Sequence, residues 1–212
     1  MKPNINSPEF EKAITVEKMR ESDAYTIAHI TPSKTLMYRA AQGIYDSAEW
    51  TGKKIAIVCG SGNNGGDGYA LACILADKGI MPHVYKLSEK FSGDGRYYCS
   101  MAKGKKVKVY DFSVETDFSG YDLVVDCILG TGFSGEPRGN AAAAIRKINS
   151  SGAYVISADI NSGLDGNTGE AVLAVKSDLT VSVGFYKTGM FLKDAPSLIG
   201  DLVNVDIGIK LI

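Results

Sequence analysis

Seven short apolar runs, at 55–58, 83–85, 107–110, 123–125, 154–157, 179–183 and 202–205, most constrain what this chain can fold into. Helix-like stretches at 69–78, 93–103 and 140–149 separate several of them. Short strands that are apolar on both faces, spaced by helices, describe a sheet buried on both sides. The expected fold is therefore α/β: a Rossmann-like, doubly wound, mostly parallel sheet with helices on both faces, a three-layer sandwich. Residues 16–28 and 33–49 read as two leading helices, the second with Ser33 as N-cap after Pro32.

The chain has 212 residues, 45% hydrophobic and 22% charged, with a net charge of -1, which suits one domain over 1–212 with residues 1–13 as a flexible lead. No basic stretch suits nucleic acid. Cys59, Cys73, Cys99 and Cys127 are too far apart for CxxC pairs and, with only His29 and His83, argue against zinc. They read as reduced packing residues of an intracellular protein. No run approaches the ~18 apolar residues of a membrane span, and MKPNINSPEF lacks a secretory pattern. A cytoplasmic protein is expected, and an organellar form is compatible with the same residues.

In a parallel sheet all strands end on one edge, where ligands bind. Four predicted strand ends carry polar, glycine-rich segments: Gly60 to Gly68, Asp126 to Glu136, Asp159 to Gly166 and Gly184 to Gly189. The first has five glycines in nine residues and reads as a ligand loop of bare backbone. Gly60, Gly62 and Gly65 match GxGxxG, but no acid follows the second strand to hold a ribose, which disfavours conventional NAD docking. Gly66-Asp67 stands where a Walker loop needs Lys and Ser or Thr. An anion held on backbone N–H groups and a tight turn capped by Asp67 both stay open.

Asp126 and Asp159 each follow an apolar run, where a carboxylate needs a cation, a donor or a substrate hydroxyl. Helix capping or loop bracing is the competing reading. Asn64, Asp126 and Ser162 offer hard oxygens that suit an alkali or alkaline-earth ion better than zinc. Lys187 reads either as a phosphate contact or as a solvated side chain beside a carboxylate. Ser162 lacks a GxSxG context and a histidine partner, against nucleophilic hydrolysis.

The segments GSGNNGGDGYALA, VVDCILGTGFSGEPRG, SADINSGLDGNTGE and FYKTGM, with the start MRESDAYTIAHITPSKTLMYRAA, resemble in order and spacing the YjeF N-terminal domain family, the NAD(P)H-hydrate epimerases. The resemblance covers about residues 14–210 and leaves no room for the dehydratase domain of two-domain relatives, so it is to the stand-alone form. It implies an isomerase that repairs damaged cofactor by interconverting R and S forms of hydrated NADH or NADPH at nicotinamide C6. By the same resemblance, Asn63, Asn64, Gly65, Gly66, Asp67, Gly130, Thr131, Gly132, Phe133, Ser134, Gly135, Glu136, Asp159 and Lys187 contact substrate, with Asp159 the catalytic acid/base. The resemblance also implies that Asn64, Asp126 and Ser162 hold one potassium ion per subunit. A homodimer and a metabolic companion, the NAD(P)H-hydrate dehydratase, are implied as well.

Two departures stand out. Asn161 replaces the family's usual proline in DIPSGLDG, and Arg39-Ala40-Ala41 stands where Asn-Ala-Gly is common. The alternative function is a non-catalytic binding scaffold of the same fold, which typically loses pocket residues and gains fused segments. A conventional dehydrogenase lacks both the ribose acid and a second substrate domain.

Overall fold

The computed structural model describes residues 1–212 as a seven-stranded sheet flanked by helices. In chain order the elements are α1 (Pro8–Glu11), α2 (Val16–His29), α3 (Ser33–Asp46), β1 (Ile55–Cys59), α4 (Asn63–Asp77), β2 (His83–Lys86), α5 (Gly93–Gly104), β3 (Lys108–Asp111), β4 (Leu123–Cys127), α6 (Gly139–Asn149), β5 (Tyr154–Ala158), β6 (Ser177–Val183), a 3-10 turn (Thr188–Phe191), α7 (Ala195–Leu198) and β7 (Ile199–Val205). The strand order is β3-β2-β1-β4-β5-β6-β7 and every pairing is parallel, where the sequence suggests only a mostly parallel sheet.

The strands are short because their apolar content is continuous and both faces must be covered. All five residues of β1 and of β4 are buried. One face packs α3, α4 and α5 through Ile44, Leu71, Leu75 and Tyr98. The other packs α6 through Ala144, Ile145 and Ile148, together with Phe118. Strand order reverses between β1 and β4, which opens a crevice at their carboxyl ends.

The expected strands are all present, but four sequence expectations need correction. Pro32 is the N-cap of α3, Ser33 is its first helical residue, and the helix stops at Asp46. The glycine and asparagine segment is helical from Asn63, so α4 starts six residues before the expected Tyr69, and Asp67 lies inside it rather than at a cap. Close packing explains the glycines: a Cβ on Gly65 would lie 2.1 Å from the Gly60 carbonyl oxygen, and one on Gly68 would lie 2.7 Å from Cys59 Sγ. Asp126 is within β4, paired across the sheet with Val58 and Ser157, rather than after the strand. The stretch expected as a lead carries α1 and lies against the body, Phe10 meeting Phe191 edge-on and Met1 donating to the Leu202 carbonyl.

Candidate active site

The β1–β4 crevice continues into a cavity of about 740 Å³. Its floor is the sheet edge, with Asp159, Val183 and the 128–133 segment; one wall is the first turn of α4 and another is α2 with α3. Gly60 makes the crevice possible, since a Cβ there would meet the Ile128 carbonyl oxygen at 1.9 Å. Gly62 caps α4 without a side chain. The helix thus turns its free N–H groups and the positive end of its dipole toward the cavity.

Asp159 sits in the left-handed region, at φ +66°, immediately after β5. Aspartate tolerates that conformation better than most residues, and such strain gathers at functional sites. Its backbone N–H donates to Val181 O at 2.8 Å, while the next amide, Ile160 N–H, turns back to Ala158 O. That turn lifts the carboxylate over the sheet edge. Oδ2 accepts from Thr131 N–H at 3.1 Å, and Oδ1 accepts from Lys187 Nζ at 2.5 Å.

Lys187 corrects the reading of it as a solvated side chain. It is wholly buried, and its ammonium also donates to Val183 O at 2.9 Å. A fully desolvated lysine needs such partners. Its head is committed to Asp159, so it does not face the cavity as a phosphate ligand.

Asp159 is not the sole acid here. Asp67, partly buried on α4, has its carboxyl held well above the usual range by desolvation and then by the Asp159 and Asp23 carboxylates, with Lys187 opposing. Asp23, on α2, is raised by burial and by Asp159. Asp23, Arg20, Met37 and Asp94 line the cavity and were not singled out from sequence. Two helices were expected there, but nothing in their pattern says which face meets the sheet edge.

Asn64 lines the same cavity yet is 6% exposed, and its Oδ1 has no hydrogen-bond partner. Its Nδ2 donates to Leu129 O at 2.9 Å, and Ser162 Oγ lies 3.1 Å from the same carbonyl. Behind them Asp126 is fully buried, accepting from Ser162 Oγ at 2.5 Å, Ser162 N, Ser157 Oγ and Ile128 N. Burial raises its pKa and those hydrogen bonds pull it back. An orphaned amide oxygen beside a carbonyl and a hydroxyl is an all-oxygen set with one negative charge behind it. That chemistry fits a monovalent cation.

Other expected contact residues are placed as follows. Asn63, Asn64, Asp67 and Gly130 to Phe133 line the cavity. Gly65 and Gly66 lie just behind it in α4, while Ser134, Gly135 and Glu136 continue along the exposed loop. Asn161 takes the place of the rigid proline by pairing both polar atoms of its side chain. Its Nδ2 donates to Val175 O, Ser177 Oγ and Leu198 O, and its Oδ1 accepts from Thr180. Arg39 donates to Ile207 O at 3.0 Å and ties α3 to the C-terminal segment.

A 3-2-1-4-5-6-7 parallel sheet with a polar cavity at its switch point defines an α/β domain built to hold a small ligand. A family model described as YjeF-related protein N-terminus matches residues 33–189, and the chain belongs to that family. It is 35% identical over 204 residues to an NAD(P)H-hydrate epimerase of Oenococcus oeni, covering 92% of this chain and 96% of that one. A second, from Lentilactobacillus buchneri, is 33% identical, covering 93% and 95%. The bifunctional NAD(P)H-hydrate repair enzyme Nnr of Coxiella burnetii is 30% identical over 91% of this chain but only 41% of its own length. A crystal structure of yeast ynu0 shares the fold with a TM-score of 0.76 at 20% identity, covering 91% of this chain and 87% of that one.

Proposed function

We infer that this protein is an isomerase, an NAD(P)H-hydrate epimerase that interconverts the R and S forms of hydrated NADH and NADPH. The observation that carries this reading is Asp159, strained at φ +66° and fixed by Lys187 and Thr131 in a cavity built from the family's own segments. The hydroxyl of the substrate sits on C6, next to the ring nitrogen, so it can leave as water while nitrogen supports an iminium. Water then returns to either face. Asp159 moves the proton at that oxygen, and the α4 N-terminus with the 130–133 backbone holds the rest of the hydrate.

Asn64, Ser162 and the Leu129 carbonyl would hold potassium, with Asp126 supplying charge from behind. The ion, when bound, supplies charge that shapes the β4 and β5 loops. Lys187 keeps Asp159 aimed into the cavity. A scaffold role is disfavoured because the glycine and asparagine segment and both aspartates, Asp126 and Asp159, are present.

The expected partner is a second copy of this chain, supported by Tyr25, Ile27, Ile30 and Tyr38, which stand exposed on and just after α2 and on α3. A monomer in sedimentation velocity would remove that expectation. All four cysteines are buried and unpaired, in keeping with the reducing cytoplasm. No helix is long and apolar enough to cross a membrane. The fused Nnr relative supports a dehydratase acting next on the S form.

The deciding experiment gives purified protein R-NADHX and follows the S epimer by chromatography, beside Asp159→Ala. The wild type should exceed the spontaneous rate and the variant should fall back toward it, by at least about 100-fold. No acceleration by wild type would overturn the reading.

A further inference from the structure

During inversion at C6 water leaves one face of the ring and returns to the other, so proton handling by Asp159 on one face leaves work for a group on the opposite face. We propose that Asp67 is the second catalytic residue, facing the substrate from the α4 wall while Asp159 faces it from the sheet edge. This rests on the epimerase reading.

Four carboxyl side chains line one cavity: Asp23 on α2, Asp67 on α4, Asp94 on α5 and Asp159 just after β5. A single buried cation serves them, and Lys187 Nζ is bound to Asp159 at 2.5 Å. Asp159 is therefore the carboxylate with a fixed cationic partner. Asp67 receives no hydrogen bond, and desolvation with its two acidic neighbours favours its neutral form. Asp23, Arg20 and Asp94 share the cavity lining with it, Lys187 acts on it from its buried place beside Asp159, and the Cys59 and Cys127 thiols lie in the core. It stands one helical turn from Asn64, on the same face of α4, and Asn64, whose buried amide oxygen has no partner, lines the same cavity. A neutral acid and a fixed carboxylate thus meet a single ligand space.

In one direction the Asp67 carboxyl gives its proton to the C6 hydroxyl. The C–O bond breaks, water leaves, and the ring-nitrogen lone pair forms the C=N bond of the iminium. A water adds to the opposite face of C6, its proton passes to the Asp159 carboxylate, and the C=N electrons return to nitrogen. In the reverse direction Asp159 is the acid and Asp67 the base, and between turnovers in one direction solvent carries the proton from Asp159 back to Asp67. Nothing is oxidised or reduced.

The test separates inversion from hydroxyl exchange. R-NADHX and S-NADHX are each given to wild type, Asp67→Asn and Asp159→Asn in 18O-water, and both epimers are resolved by chromatography with mass detection after subtracting the spontaneous rate. Asp67→Asn should lose inversion by at least about 100-fold while 18O still enters one epimer faster than the other, through the remaining carboxylate. Asp159→Asn should reverse that preference. Inversion by Asp67→Asn within about threefold of wild type would overturn the proposal, as would equal loss of exchange into both epimers, the result of a purely structural role. Circular dichroism checks the fold, with Asp67→Ser as the second variant read in the same way. A wild type that accelerates nothing would instead remove the epimerase reading itself.

Discussion

In the turn after β5, Asn161 is buried with its amide shared among Val175 O, Ser177 Oγ, Leu198 O and Thr180 Oγ1. Those bonds fix the backbone between Asp159 and Ser162. Asn161→Ala leaves several buried groups unpaired and should cost about 2–4 kcal/mol, read as a lower urea midpoint, with activity falling too. An unchanged midpoint would show that the network is dispensable. Asp67 makes a different prediction. A native carboxyl whose pKa is raised above the unfolded value of about 3.9 binds more protons than the unfolded chain between those two values, so stability falls as pH rises through that window. Asp67→Asn should therefore raise the melting temperature at pH 7 and leave it nearly unchanged at pH 4. A lower melting temperature at pH 7 would contradict the desolvation argument. Asp159 was legible in the sequence because it follows an apolar strand. The burial of Lys187 was not, since no local pattern reveals that its acceptors are Asp159 and Val183.

Strand existence was readable from continuous apolar runs such as Ile55 to Val58, whereas the start of α4 was not. Helix propensity argues against Gly65, Gly66 and Gly68, and a sequence window cannot contain the contact that selects them. The Gly60 carbonyl, the Met37 side chain and Cys59 leave no space for a Cβ. The same conflict recurs in α3, where a Cβ on Gly43 would meet three carbons of Val205 at 2.7–2.9 Å. Alanine there gains about 1 kcal/mol of helix propensity but forces α3 off β7, an overpacking cost of about 1–3 kcal/mol. Gly43→Ala should lower the melting temperature; a rise would mean that the helix shifts freely.

For the molecule as a whole, the strand order places four distant segments around one crevice, and a bound ion there would couple to global stability. Potassium chloride should raise the melting temperature relative to sodium chloride at equal ionic strength, as any ligand of the native state does. Asn64→Leu should abolish the difference, and equal melting in both salts would remove the ion from the site. The sequence alone determined the α/β class, the polar strand ends and the family resemblance, because periodicity and local motifs are properties of neighbours along the chain. Only the tertiary structure decided that Asn64 to Gly68 are helical, that Lys187 is buried against Asp159 and that Asp23 joins Asp67 in one cavity. Desolvation, close packing and charge coupling act between residues far apart in sequence, so no local pattern carries them.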